Sequence, residues 1–155
     1  MSNYTKEELY DFIVKAKANS YVGRAPKCLS YRPGSQDIQF QLGPFKYLDS
    51  YFGGTDFLGQ EVVYFNDIPI WAMNYYGKIL CPEIYNGEMA GNVILESLAH
   101  LYQSGHFLGN SKHQTTLGIY HDTNQGDVTS FTGYEWIDYQ NRKVYDLNYH
   151  GGLIK

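Results

Sequence analysis

Between Phe45 and Gly77 the chain reads FKYLDSYFGGTDFLGQEVVYFNDIPIWAMNYYG, with apolar and polar residues alternating through three runs separated by Gly53-Gly54 and Asn66-Asp67-Ile68-Pro69. A period of two over such runs marks strands with one buried face, and breaks of this kind close antiparallel reversals. The stretch therefore predicts a three-stranded meander that the rest of the chain must cover. One face of its first run carries Phe45, Tyr47, Asp49 and Tyr51. Its third run divides Trp71, Met73 and Tyr75 from Ala72, Asn74 and Tyr76. Gly59, two residues before Glu61, predicts a β-bulge that re-aims that acid.

The flanking segments supply helices and further strands. Thr5-Lys6-Glu7-Glu8 has the capping-box form, and Leu9, Phe12, Ile13 and Ala16 make one apolar stripe behind it. Lys15 and Lys17 fall near the helix C-terminus, where the dipole favours cations. Residues 21–35 hold Gly23, Pro26, Pro33 and Gly34 and read as an ordered loop, after which Ile38, Phe40 and Leu42 alternate as a strand turning at Gly43-Pro44. Helical period returns over residues 87–104 through Ala90, Ile94, Leu98 and Leu101, with Gly105 placed as a C-terminal stop. Residues 109–116 read as a loop, and strands follow over 117–121, 127–139 and 142–150.

The order helix, four strands, helix, three strands is α+β, with one curved, largely antiparallel sheet and the helices packed on one side. A chain of 155 residues makes a single domain, 1–155. With 43% hydrophobic and 18% charged residues it has the composition of a folded globule. Aromatics reach 17%, with 16 Tyr against 2 Trp, which suits half-buried sheet positions or pocket walls. A net charge of −4 and a pI near 5.7 exclude a duplex nucleic-acid partner that relies on phosphate neutralisation. No apolar run approaches the roughly 20 residues of a membrane span, and the polar N-terminus is no signal peptide, so the expected setting is cytoplasmic, away from membranes. Cys28 and Cys81 lie far apart and read as free thiols.

Several spaced motifs carry a family resemblance: Phe45-x-Tyr47-x-Asp49-x-Tyr51-x-Gly53-Gly54-x-x-Phe57-x-Gly59-x-Glu61, Pro69-x-Trp71-x-Met73-Asn74-Tyr75-x-Gly77, Gly133-Tyr134-Glu135 and Tyr149-His150-Gly151-Gly152. The chain resembles, over nearly its whole length, an uncharacterised bacterial domain of unknown function. That domain often follows a Cro/repressor-type helix-turn-helix in XRE-class regulators and also occurs alone. The resemblance implies a standalone copy here, with a sensing or partner-binding role and no direct control of transcription.

Among candidate reacting groups, Asp49, Glu61 and Glu135 can perturb one another's ionisation if they share a pocket, or can simply satisfy tyrosine hydroxyls. His150 ends a strand before Gly151-Gly152, within reach of Asp146 and Asn148 or of a neighbouring carbonyl. The five histidines fall in no metal-ligand spacing, and neither a nucleophile elbow nor a phosphate-binding loop occurs, so no metal and no cofactor are expected. The leading expectation is a non-enzymatic module whose concave sheet, lined by Tyr47, Asp49, Tyr51, Glu61, Trp71, Asn74, Glu135 and His150, takes a small polar or aromatic ligand such as a nucleotide-like planar compound. Alternatives are a protein-interaction or homo-oligomerisation unit, and an enzyme using Asp49, Glu61, Glu135 or His150.

Overall fold

The Thr5 hydroxyl accepts from the Glu8 amide at 3.1 Å and the Glu8 carboxylate accepts from the Thr5 amide at 2.7 Å, so the expected capping box is formed at the start of α1, Lys6–Ala18. The structure, a computed structural model, describes residues 4–155, leaving the first three residues of the expected 1–155 domain outside the description. The alternating runs form β1 (Gln36–Leu42), β2 (Phe45–Gly53), β3 (Phe57–Phe65) and β4 (Ile68–Ile79). Helix α2 (Gly87–Gln103), capped by the Asn86 side chain, is followed by β5 (Ser111–Thr115), β6 (Gly118–Asp127), β7 (Ser130–Tyr139) and β8 (Arg142–Leu153). The fold is α+β: one open, eight-stranded antiparallel sheet of order β1-β2-β3-β4-β8-β7-β6-β5, with two helices.

Two expectations need correction here. The segment 109–116 is not a loop throughout: Ser111–Thr115 pairs with β6, giving four strands after α2 where three were expected. Its sequence, SKHQT, has no apolar alternation because it is an edge strand held through backbone pairing. The bulge lies between Val63 and Tyr64, opposite Pro69, and not at Gly59. Proline lacks the amide that a regular ladder needs there.

The second half of the chain repeats the first. Each half is a helix followed by a four-stranded meander, and the halves join where β4 pairs β8 with Tyr75 directly opposite Tyr149. Tyr47-x-Asp49, Gly59-x-Glu61 and Asn74-Tyr75-x-Gly77 recur as Tyr120-x-Asp122, Gly133-x-Glu135 and Asn148-Tyr149-x-Gly151. The pairings recur too, Asp49 with Glu61 and Asp122 with Glu135, then Gly59 with Tyr75 and Gly133 with Tyr149. Even the tight turns match, with positive φ at Asn66 and Asp67 and again at Gln140 and Asn141. An axis of approximate two-fold symmetry thus passes between Tyr75 and Tyr149.

Both helices cover the same sheet face. From α1 the buried residues Leu9, Phe12, Ile13 and Ala16 join a core with Val63, Trp71 and Phe131, and α2 adds Ala90, Val93 and Ile94. Trp71 is fully buried, stacks on Phe131 at 5.8 Å and donates its indole N–H to the Val128 carbonyl at 3.0 Å. No helix among the described residues is long and apolar enough to cross a membrane. Because Ile13 is fully enclosed, Ile13→Ala is expected to lower unfolding free energy in urea by about 2–5 kcal/mol, whereas Leu42→Ala at an exposed strand end stays within about 0.5 kcal/mol.

Candidate functional site

Between the inner face of the sheet and the helices lies a cavity of about 480 Å³. Its walls combine α1 (Lys17), α2 (Ala90, Gly91, Leu98), and inward positions of β2, β3, β4, β6, β7 and β8. The exposed lining residues are Tyr21, Lys27, Gly53, Gly54 and Thr55, which mark its mouth. Deeper in, four buried carboxyl groups share the space: Asp49, Glu61, Asp122 and Glu135.

Each acid is met by tyrosine hydroxyls, and the two halves use the same device. The Tyr75 hydroxyl donates to Asp49 Oδ1 at 2.6 Å, and the Tyr149 hydroxyl to Asp122 Oδ1 at 2.8 Å. To do so each ring leaves its strand and crosses the next one, where only glycine leaves room. A Cβ on Gly59 would lie 2.3 Å from the Tyr75 hydroxyl, and one on Gly133 only 1.8 Å from the Tyr149 ring. Glu61 accepts from the Tyr47 hydroxyl, as Glu135 does from Tyr120.

The halves differ in the next partner. Glu61 receives the Lys17 ammonium through both oxygens, at 2.7 and 2.9 Å, inside the protein. Glu135 receives the Tyr145 hydroxyl at 2.8 Å instead. Both oxygens of each glutamate are therefore occupied, while Asp49 and Asp122 each keep one oxygen without a hydrogen-bond partner among the described residues.

Comparison with known proteins places residues 49–154, more than half of the chain, on the model of a domain of unknown function, DUF5680. The chain belongs to the DUF5680 family. No curated protein and no solved structure matches it. The DUF5680 match contains all four carboxyl groups and both crossing tyrosines, while Lys17 and Tyr47 precede it.

Of the residues picked out in sequence, Tyr47, Asp49, Tyr51, Glu61 and Glu135 line the DUF5680 cavity. Asn74 and His150 do not: they lie exposed on the opposite face, Asn74 Nδ2 being 3.3 Å from His150 Nε2 and its carbonyl accepting from Gln60 at 2.9 Å. The alternation that turns Tyr75 and Tyr149 inward necessarily turns their neighbours out. Trp71 faces inward but is consumed by the core. Asp49 and Glu61 converge, and Asn74 does not join them. Lys17, Asp122, Tyr75, Tyr102 and Tyr149 were not anticipated, although the recurrence of Tyr-x-Asp, Gly-x-Glu and Asn-Tyr-x-Gly identifies Asp122 and Tyr149 directly from the sequence.

Electrostatics follow from the burial. Burial pushes the Asp49 carboxyl up to about 7, helped by the Glu61 charge and opposed by the Tyr75 hydrogen bond and Lys17. Burial, then the Glu135 charge, pushes Asp122 up to about 8, against the Tyr149 hydrogen bond and Lys17. Burial also raises Glu135. The surrounding Tyr47, Tyr75, Tyr102, Tyr120 and Tyr145 are pushed well above the ordinary phenol range by burial and the nearby acids, so they remain neutral. No cluster of three or more His, Cys, Asp or Glu side chains suited to a metal ion occurs among the described residues. Cys28 and Cys81 are free thiols outside the cavity lining.

Asp49 and Asp122 hold their protons more tightly folded than unfolded. Their contribution to stability is whole below the ordinary carboxylate range near pH 4 and is lost as pH rises through about 7 and 8. The melting temperature should therefore fall between about pH 4 and about pH 8, and Asp122→Asn should flatten that fall; an equally steep fall in the variant would contradict the assignment. Gly133→Ala should cost at least about 1–3 kcal/mol in urea denaturation because it displaces the Tyr149 ring, whereas Gly54→Ala, with open space around its Cβ, stays within about 0.5 kcal/mol.

Proposed function

We propose that this DUF5680 domain is a non-enzymatic binding module that takes a small polar or aromatic ligand into the cavity under its helices. The observation that carries this reading is the pair of open carboxyl oxygens, on Asp49 and Asp122, inside a space walled by neutral tyrosines. A volume of about 480 Å³ falls within the range of about 300–1,000 Å³ found for small-molecule sites. Few convergent polar groups among many aromatic carbons is also the usual make-up of a small-molecule pocket.

The same geometry disfavours an enzyme. Among the described residues no serine, cysteine or histidine lines the cavity, and the one aliphatic hydroxyl there, Thr55, belongs to an exposed residue. Glu61 and Glu135 are each held by two donors and have no free oxygen to exchange a proton with a substrate, which leaves Asp49 alone, of the acids considered for catalysis, with an open oxygen. His150, one of the residues considered for catalysis, lies on the other face of the sheet. The resemblance to domains that follow a helix-turn-helix in XRE-class regulators makes effector sensing the natural use of such binding.

A thermal-shift screen with nucleosides, aromatic metabolites and amines tests the reading. A ligand at about 100 times its Kd adds about 2.7 kcal/mol to the folded state. Gly91→Leu provides the site control. Gly91 lines the cavity from α2 with only the Tyr21 hydroxyl near its Cβ, at 4.0 Å, so the larger side chain occupies the space and removes a helical glycine. Expected are a ligand-dependent rise in melting temperature for the natural chain and none for Gly91→Leu, whose own melting temperature is at least as high. A rise of equal size in Gly91→Leu would place binding elsewhere.

A further inference from the structure

The two halves match in helix register as well as in strands. Counted from the caps Thr5 and Asn86, the inward positions Leu9, Phe12, Ile13 and Ala16 of α1 correspond to Ala90, Val93, Ile94 and Ser97 of α2. The next inward position is Lys17 in α1 and Leu98 in α2, and both line the cavity. The acids are duplicated and their cation is not. Four carboxyl groups face one buried ammonium, and that ammonium is taken up by Glu61. Lys27, the other lining cation, is exposed at the mouth and lies 5.8 Å from the centre of the Tyr51 ring.

On the proposed binding role, we infer that the ligand is an organic cation, an amine or guanidinium on a flat apolar body, whose charged group binds Asp122 in the half whose helix brings no lysine into the cavity. The open oxygen of Asp122 accepts the N–H; Asp122 pairs across β6 and β7 with Glu135, the acid that a lysine at the position of Leu98 would meet by the repeat, and Tyr102 and Tyr149 line the same space. Anions are disfavoured because four carboxyl groups share the space and the hydroxyls of Tyr47, Tyr75, Tyr120, Tyr145 and Tyr149 are already donating to them.

Binding of such a cation is linked to protons. Asp122 is faced by Lys17 from α1, Tyr102 from α2, Glu135 from β7 and Tyr149 from β8, and in the empty cavity it is held mostly protonated at pH 7. A bound cation favours the carboxylate, so a proton leaves as the cation arrives and affinity rises with pH up to about 8.

Tryptamine, indole-3-ethanol and indole-3-propionate form a cation, neutral and anion series on one ring, to be compared by calorimetry and thermal shift on the full chain. The expected result is binding by tryptamine, with a net proton release at pH 7 read from buffers of different ionisation enthalpy. The loss on Asp122→Asn should be on the order of tenfold or more. Leu98→Lys, which supplies the missing ammonium internally, should abolish tryptamine binding and leave the chain folded. Preferential binding of the alcohol or the propionate, or undiminished tryptamine binding in both variants, overturns the cation assignment while leaving a binding module. Absence of any shift from this series and from the wider screen overturns both.

Discussion

A tyrosine ring laid across a glycine to meet a buried carboxyl group is the interaction on which this structure turns. It occurs twice, Tyr75 over Gly59 to Asp49 and Tyr149 over Gly133 to Asp122, on strands that pair at the centre of the sheet. Buried carboxyl groups are costly unless hydrogen-bonded, and a phenol hydroxyl at the end of a long apolar ring delivers a donor without bringing water. The abundance of tyrosine, 16 residues against 2 tryptophans, has a physical use: the ring fills the core while the hydroxyl satisfies an acid.

From that interaction the asymmetry of the cavity follows. If both halves were identical, each Glu would carry a lysine and the charges would be partly balanced. Lys17 instead serves Glu61, and Tyr145 stands in at Glu135 with a neutral donor. In the second half burial raises both acids, Glu135 above its ordinary value and Asp122 up to about 8. On the proposed binding role, a positive group entering the cavity favours the carboxylate over the acid, and that preference is what selects a ligand by charge.

How much of this was legible in the chain depends on the range of the signal. The meander from Phe45 to Gly77, the capping box at Thr5 and the apolar stripe of α1 are encoded by neighbours a few residues apart, and all three are present. Strand β5 was missed because SKHQT pairs through backbone alone and has no apolar face to announce it. Gly59 was misread as a bulge because nothing local tells a glycine that bends a strand from one that admits a distant ring. Lys17 read as a cation at a helix end, since its partner Glu61 lies 44 positions away.

The sequence by itself determined the α+β class, the element order up to β5, and the inward placement of Tyr47, Asp49, Tyr51 and Glu61, because strand alternation assigns faces before any contact is made. It also contained the repeat that pairs Asp49 with Asp122 and Tyr75 with Tyr149. Only the tertiary structure decided that the halves meet at β4 and β8, that Asn74 and His150 face away from the acids, and that the buried Lys17 is taken up by Glu61. Those outcomes depend on where two remote segments pack, and the energies that settle such packing come from burial across the whole sheet rather than from any local pattern.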